Sequence, residues 1–197
     1  VGATGLRATL GILLGGVAQQ IVEYARLPVL IVRAPYTGLR RVLLATDGST
    51  DSAHVANYLC RLPLPAEASV EVMHVLPPAP AYEPLTPASQ LSRSGFEQFT
   101  PPGQMAEMEE KQGQLLLDRT AENMAKQGVN AGKMLVRGDA ATEIIAHAKA
   151  SAVDLIVAGS RGLTRVQGWL LGSVTRKLVH YAPCSVLIVR PKAMVAS

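Results

Sequence analysis

Two stretches of this 197-residue chain repeat one another at a fixed offset of 157 residues without a gap, one at each end. Gly159-Ser160-Arg161-Gly162, then Gly172-Ser173, is matched by Gly2-Ala3-Thr4-Gly5, then Gly15-Gly16. Each copy runs through an amphipathic stretch to an apolar run, Val186-Leu187-Ile188-Val189-Arg190 in one and Val29-Leu30-Ile31-Val32-Arg33 in the other. Leu163/Leu6, Gly168/Gly11, Val179/Val22, Tyr181/Tyr24 and Ala182/Ala25 also coincide. A repeat of this kind marks two copies of one structural unit. Residues 1–37 therefore read as the closing part of one domain, its last helix and strand, and 38–192 as a complete second domain.

Composition narrows the class. The length suits one domain with a substantial core, and two complete domains would be a tight fit. A formal charge of +4 and a pI near 9.3 permit an anionic partner, but the Lys and Arg residues are scattered and only two Phe and one Trp are available for stacking, so nucleic acid is not expected. The most apolar stretch, Leu10 to Ala18, is far shorter than a membrane span and ends in Gln19-Gln20. The amino terminus matches an internal segment instead of a secretory signal, so a cytoplasmic location is expected, with no membrane partner. Cys60 and Cys184 sit inside apolar patterns with no metal-ligand or redox spacing and read as reduced, buried thiols.

From residue 40 short apolar runs alternate with helical periodicities, the pattern of strand–helix units around a parallel sheet. The first strand is Arg41 to Thr46, the turn is Asp47-Gly48-Ser49, and Ser49, Thr50 or Asp51 caps a helix carrying Val55, Leu59 and Leu62. Ser69 to Leu76 is the second strand. A proline-rich flexible loop follows over 77–104. Met105 to Lys126 reads as a long helix with Leu115, Leu116 and Met124 on its apolar side, ended by Gly128. Lys133 to Arg137 is a third strand, Thr142 opens a third helix, and Leu155 to Ala158 is a fully apolar fourth strand. A helix from Ser173 and a strand over Val186 to Val189 complete five strands and four helices.

The fourth strand runs directly into Gly159-Ser160-Arg161-Gly162. Glycine permits positive φ and close backbone approach, so amides here can face the crevice at the carboxyl end of a parallel sheet, where open α/β folds bind ligands. Gly172-Ser173 opens a helix whose free N–H groups and positive end favour an anion, and the Ser173 and Thr175 hydroxyls are placed to donate further hydrogen bonds. These pieces fit a polyphosphate; the plainer alternative is that the glycines only shape a tight turn. Arg161 either neutralises phosphate charge or is a solvated loop arginine. Arg137-Gly138-Asp139 follows the third strand at the same sheet edge, where Asp139 suits a helix cap.

The chain resembles the universal stress protein family, in particular its nucleotide-binding branch, whose motif Gly-x2-Gly-x9-Gly-Ser/Thr matches Gly159, Gly162, Gly172 and Ser173. The resemblance covers residues 40–191. It includes Ala45-Thr46-Asp47-Gly48-Ser49, Met73-His74-Val75 and the closing Pro183-Cys184-Ser185-Val186-Leu187-Ile188-Val189. It implies an α/β fold, a five-stranded parallel sheet flanked by helices of the Rossmann-like, adenine-nucleotide α-hydrolase-like kind. It further implies ATP, with Mg2+ or Mn2+, at the strand carboxyl ends. Ala45, Thr46, Asp47 and Val75 would lie at the adenine and ribose, and Gly159, Arg161, Gly162, Gly172, Ser173, Val174 and Thr175 at the ribose and phosphates. Asp47 also suits a turn or a cap, and Val75 belongs to the core in either reading. In the first copy Gly16 replaces the Ser/Thr, so residues 1–37 make no site alone. Family domains pair through their last strands, which implies that Val29–Val32 and Val186–Val189 lie together as a pseudo-dimer within one chain or as a dimer between chains.

An ATP site is not an ATPase. No P-loop is present, nor the His-x-Gly-His or Ser-Gly-Gly-x-Asp-Ser signatures of adenylating enzymes, and His54, His74, His147 and His180 are dispersed. The expectation is an ATP-binding stress-response regulator that switches with nucleotide occupancy, with at most slow hydrolysis or autophosphorylation. The alternative is a dimerisation scaffold of the same fold that binds no nucleotide.

Overall fold

The computed structural model describes residues 16–36, 38–79, 102–162 and 171–190. The glycines of the first repeat copy before Gly16, and most of the proline-rich segment, lie outside the described residues. In chain order the elements are α1 (Gly16–Tyr24), β1 (Val29–Ile31), β2 (Arg41–Thr46), α2 (Thr50–Leu59), β3 (Ser69–Leu76), α3 (Pro102–Ala125), β4 (Ala131–Arg137), α4 (Ala140–Ala150), β5 (Leu155–Gly159), α5 (Ser173–Tyr181) and β6 (Ser185–Val189).

These form one sheet in the order β1-β6-β5-β2-β3-β4. The five strands β2 to β6 are parallel, but β1 adds a sixth, antiparallel to β6, so the sheet is mixed and not the five-stranded parallel one expected. The reason is symmetry. Two copies of the same strand related by a two-fold axis must run in opposite directions, and the register obeys that axis: Leu30 faces its repeat counterpart Leu187, while Val29 faces Ile188 and Ile31 faces Val186. The last strands of the two copies thus pair within one chain.

An arginine locks each side of this contact. Arg33 Nη2 donates to the carbonyl oxygens of Val179 (2.7 Å) and His180 (3.3 Å) at the end of α5. Arg190 Nη2, its counterpart, donates to those of Val22 and Glu23 at the end of α1. Helix C-termini carry unpaired carbonyls and a partial negative charge, so a guanidinium satisfies both at once.

Successive strand residues point to opposite faces, and both faces are covered. Val186, Ile188, Ile156 and Ala158 pack with α1, α4 and α5 through Val22, Ile144 and Leu178. Leu187, Val189, Leu155 and Val157 pack with α2 and α3 through Val55, Leu59, Leu117 and Met124. On α3 the apolar side is carried by Met124, as expected, and by Leu117, while Leu115 is exposed, against the expectation; the helix also begins at Pro102, before the expected end of the loop. Gly113 explains how α3 sits so close to the sheet: a Cβ there would lie 2.8 Å from Leu135 Cδ1.

The connections follow local chemistry. Ser49 caps α2 by accepting from the Ser52 N–H, and Asp139 caps α4 by accepting from the Thr142 N–H (3.0 Å). Gly48 (φ +80°) and Gly128 (φ +86°) take the left-handed conformation that the turn after β2 and the end of α3 require. Cys184 is buried, but Cys60 is only half-buried, and both are free thiols.

Candidate functional site

Chain order reverses between β5 and β2: the sheet grows through β3 and β4 on one side and through β6 on the other. The carboxyl ends of strands at such a switch point open a crevice between the flanking helices. Here it holds a cavity of ≈ 240 Å³, somewhat below the range of ordinary small-molecule sites, about 300–1,000 Å³.

All eleven candidate residues line this one cavity. Ala45, Thr46 and Asp47 come from the end of β2, Val75 from β3, Gly159, Arg161 and Gly162 from the segment leaving β5, and Gly172, Ser173, Val174 and Thr175 from the start of α5. The sequence reading missed Ser52, Met73, Ala140, Ile144 and Ala158. Ala140 and Ile144, four apart, share one face of α4, and with Met73 and Ala158 they form an apolar wall opposite the polar end. Arg137 and Asp139 stay outside it. Arg137 pairs with Glu109 (2.6 Å), and Asp139 is taken by the α4 cap and by Lys177 (3.2 Å). None of the four histidines is in the lining; His74 Nδ1 donates to the Thr46 carbonyl oxygen (2.9 Å), and His147 bonds Glu71 (2.6 Å).

At the polar end, three sets of groups stand ready. The first is the start of α5. Its N-cap is Gly172, with no side-chain hydrogen bond to the first turn and no acidic residue in it, unlike the capped α2 and α4. The Gly172 N–H is spent on the Ser160 carbonyl oxygen (2.8 Å), which leaves the amides of Ser173, Val174 and Thr175 at the positive end of the helix.

Asp47 is the second. Its Oδ1 accepts from the Ser49 N–H (3.0 Å) and the Ser49 hydroxyl (2.6 Å), fixing the turn, while its Oδ2 is buried with no partner among the described residues. The third is Arg161, whose Nε is likewise buried and unpartnered. Burial pulls the Arg190 guanidinium below its ordinary pKa, and the charge of Arg161 adds a smaller push in the same direction.

Two expectations need correction. Gly159, Gly162 and Gly172 do not adopt positive φ; the role of the first two is space. A Cβ on Gly162 would lie 2.8 Å from Asp47 Oδ2, and one on Gly159 3.1 Å from the Arg161 carbonyl oxygen, whereas Gly172 has ordinary clearance of 3.5 Å or more. The Thr175 hydroxyl is also not a free donor: it is buried and donates to the Gly159 carbonyl oxygen (2.6 Å), tying α5 to the end of β5. Ser173 is exposed and its hydroxyl remains at the rim.

The universal stress protein family profile matches residues 38–190, the span that holds both the sheet crevice and the glycine loop. The chain belongs to the universal stress protein family. The universal stress protein YxiE of Bacillus subtilis is 33% identical over 152 residues, covering 76% of this chain and 98% of that protein. Among solved structures, the universal stress protein UspA from Lactobacillus plantarum matches with a TM-score of 0.59 at 21% identity, over 78% of this chain and 99% of that one. A universal stress protein in complex with cAMP matches with a TM-score of 0.52 at 20% identity, over 78% and 98%. Among the described residues no helix is long and apolar enough to cross a membrane, and no cluster of His, Cys, Asp and Glu is arranged to hold a metal ion.

Proposed function

We propose that the cavity binds an adenine nucleotide, ATP, and that this universal stress protein acts in the cytoplasm as a nucleotide-dependent stress-response regulator. The observation that carries the reading is the uncapped first turn of α5, which opens on the same cavity as the orphaned Asp47 Oδ2 and Arg161 Nε. A buried polar atom without a partner is costly, and a nucleotide supplies what each group lacks. Phosphate oxygens accept from the α5 amides and from Arg161. A ribose hydroxyl or the adenine amino group donates to Asp47 Oδ2. The base rests on the wall of Met73, Val75, Ile144 and Ala158. Mg2+ or Mn2+ arrives on the phosphates, held by their oxygens. The solved relative in complex with cAMP is consistent with a nucleotide of this class.

The site holds and senses a nucleotide rather than turning it over rapidly. It offers donors for negative charge, and among the described residues of its lining the one carboxylate, Asp47, has an oxygen already held by the Ser49 N–H and hydroxyl. The second reading, a dimerisation scaffold, draws on the β1–β6 contact and its two arginine locks.

Calorimetric titration separates the two. ATP with Mg2+ is expected to saturate a single site with micromolar affinity, with adenosine and inorganic triphosphate each binding more weakly and Asp47→Ala weakening ATP and adenosine alike. No saturable heat from any of these ligands would overturn the nucleotide reading and leave the scaffold.

A further inference from the structure

A second cavity, of ≈ 300 Å³, lies at the opposite end of the sheet from the first, where β5 and β6 begin. Its size is that of a small-molecule site. The end of α4 and the segment that joins β1 to β2 both line it. Arg33, Ala34, Pro35 and Tyr36 come from that joining segment, and all four precede the span matched by the family profile. The rest of the lining includes Lys149 of α4, Ala152 and Asp154 beyond it, and Cys184 and Ser185 at the start of β6.

The principal acceptors of this lining are engaged. Ala152, at φ +46°, turns the chain out of α4 so that the Val153 N–H reaches the Ala148 carbonyl oxygen (2.9 Å) and the Ala152 N–H that of Lys149 (3.4 Å). Asp154 Oδ2 accepts from the backbone N–H groups of Arg40 (2.8 Å) and Arg41 (2.9 Å). Ser185 Oγ accepts from the Arg33 N–H (3.2 Å).

The donors are not. Ser185 is 6% exposed, and its hydroxyl proton has no acceptor among the described residues. Among those residues no acidic side chain pairs with Arg33 or Lys149. Arg33 is half-buried and spends Nη2 on the carbonyl oxygens that end α5, while its Nε has no partner among the described residues. Burial holds its guanidinium below the ordinary pKa, as for a cation short of water and of counter-charge. That charge acts on the buried Cys184 thiol, which is itself part of the lining. Two cations against the one carboxylate of Asp154 leave a single positive charge in excess.

We propose that this cavity is a second ligand site, for a small organic acid: one carboxylate set against Arg33, Lys149 and the Ser185 hydroxyl, on a compact apolar body resting on Ala148, Val153 and Pro183. A single negative charge matches the excess, which disfavours a doubly charged phosphate. The site is independent of what the first cavity binds, since the two linings share no residue.

The test is amide NMR on the full chain, titrated with benzoate, with isobutyrate as an aliphatic acid and with benzamide as benzoate without its charge. Either acid should shift the Ala152, Cys184 and Ser185 amides saturably in the millimolar range and leave those of Asp47 and Ser173 in place. Benzamide should bind at least tenfold more weakly than benzoate. Lys149→Gln alters an exposed side chain and so keeps the fold; it should weaken both acids at least threefold at an unchanged melting temperature. ATP with Mg2+, added first, should leave the affinity for benzoate as it was. The proposal is overturned by the absence of saturable shifts at these amides from either acid, by benzamide binding as well as benzoate, or by benzoate affinity indifferent to Lys149→Gln. Displacement of benzoate by ATP would place the acid in the first cavity and overturn it too.

Discussion

Asp47 divides its carboxylate between two tasks. One oxygen builds the turn that starts α2 through Ser49, and the other is left buried for something the chain does not supply. The turn role that the sequence allowed for this residue is present on Oδ1, and the proposed ligand role falls to Oδ2. Gly162 is what lets that second oxygen exist: Gly162→Ala pushes a methyl to 2.8 Å from Oδ2 and must displace the carboxylate. Equilibrium titration should show ATP affinity falling at least tenfold, about 1.4 kcal/mol, with the protein still folded. Gly172→Ala meets ordinary clearance at φ −60°, so the protein should still fold, with its stability lowered by up to about 1 kcal/mol because alanine is a poorer N-cap than glycine. The glycine spacing made the polar end of the cavity legible. The apolar wall was not, because Met73, Ile144 and Ala158 have the same character as any core residue of a parallel sheet. Burial pushes the Cys184 thiol up to about 11 from an ordinary value of 9.0. The folded protein therefore keeps this proton when the unfolded chain has lost it, and stability should fall as pH rises between those values. A urea titration series with Cys184→Ala as control reads that loss directly.

Capping set most of the helix boundaries, and capping is written in single residues. Ser49 and Asp139 start α2 and α4, and Gly128 ends α3. Asp139→Ala should cost about 1 kcal/mol. The Thr142 hydroxyl and amide, and then Lys177, hold the Asp139 carboxyl below the usual range. Its stabilisation is present above the unfolded pKa and is lost as pH falls through the depressed one. The difference in melting temperature between the native protein and Asp139→Ala should accordingly shrink on going from pH 7 toward pH 2. The phase of α3 was harder to see, since its polar residues leave a weak stripe and Leu115, Leu116 and Leu117 are consecutive. The informative signal was Gly113, a residue that is costly inside a helix and is explained by contact with Leu135. At the two-fold contact, Arg190→Ala removes bonds to two helix-terminal carbonyls, worth about 1.5–3 kcal/mol for a charged donor. Hydrogen exchange should then quicken in α1 and β1 while β2 to β4 keep their protection.

Across the whole molecule, strands β2 and β3 were legible to the residue, because β-branched runs bounded by turn residues leave little choice. The pairing of the sixth strand was implied by the family resemblance, but its direction follows only from the two-fold axis that relates the copies, a property of three dimensions. The sheet places its switch point, the uncapped end of α5, Asp47 and Arg161 in one cavity, and the central claim is that the α5 amides receive phosphate oxygens. Ser173→Pro isolates that claim. Proline is at home in the first helical position, and Gly172, at φ −60° and ψ 156°, already has the extended backbone that a following proline requires. The substitution therefore keeps the fold and deletes one amide along with the hydroxyl, and Ser173→Ala, which loses the hydroxyl alone, is its reference. ATP affinity should drop at least tenfold while adenosine affinity and the melting temperature stay as they were. Unchanged ATP affinity in a folded Ser173→Pro protein would contradict the account.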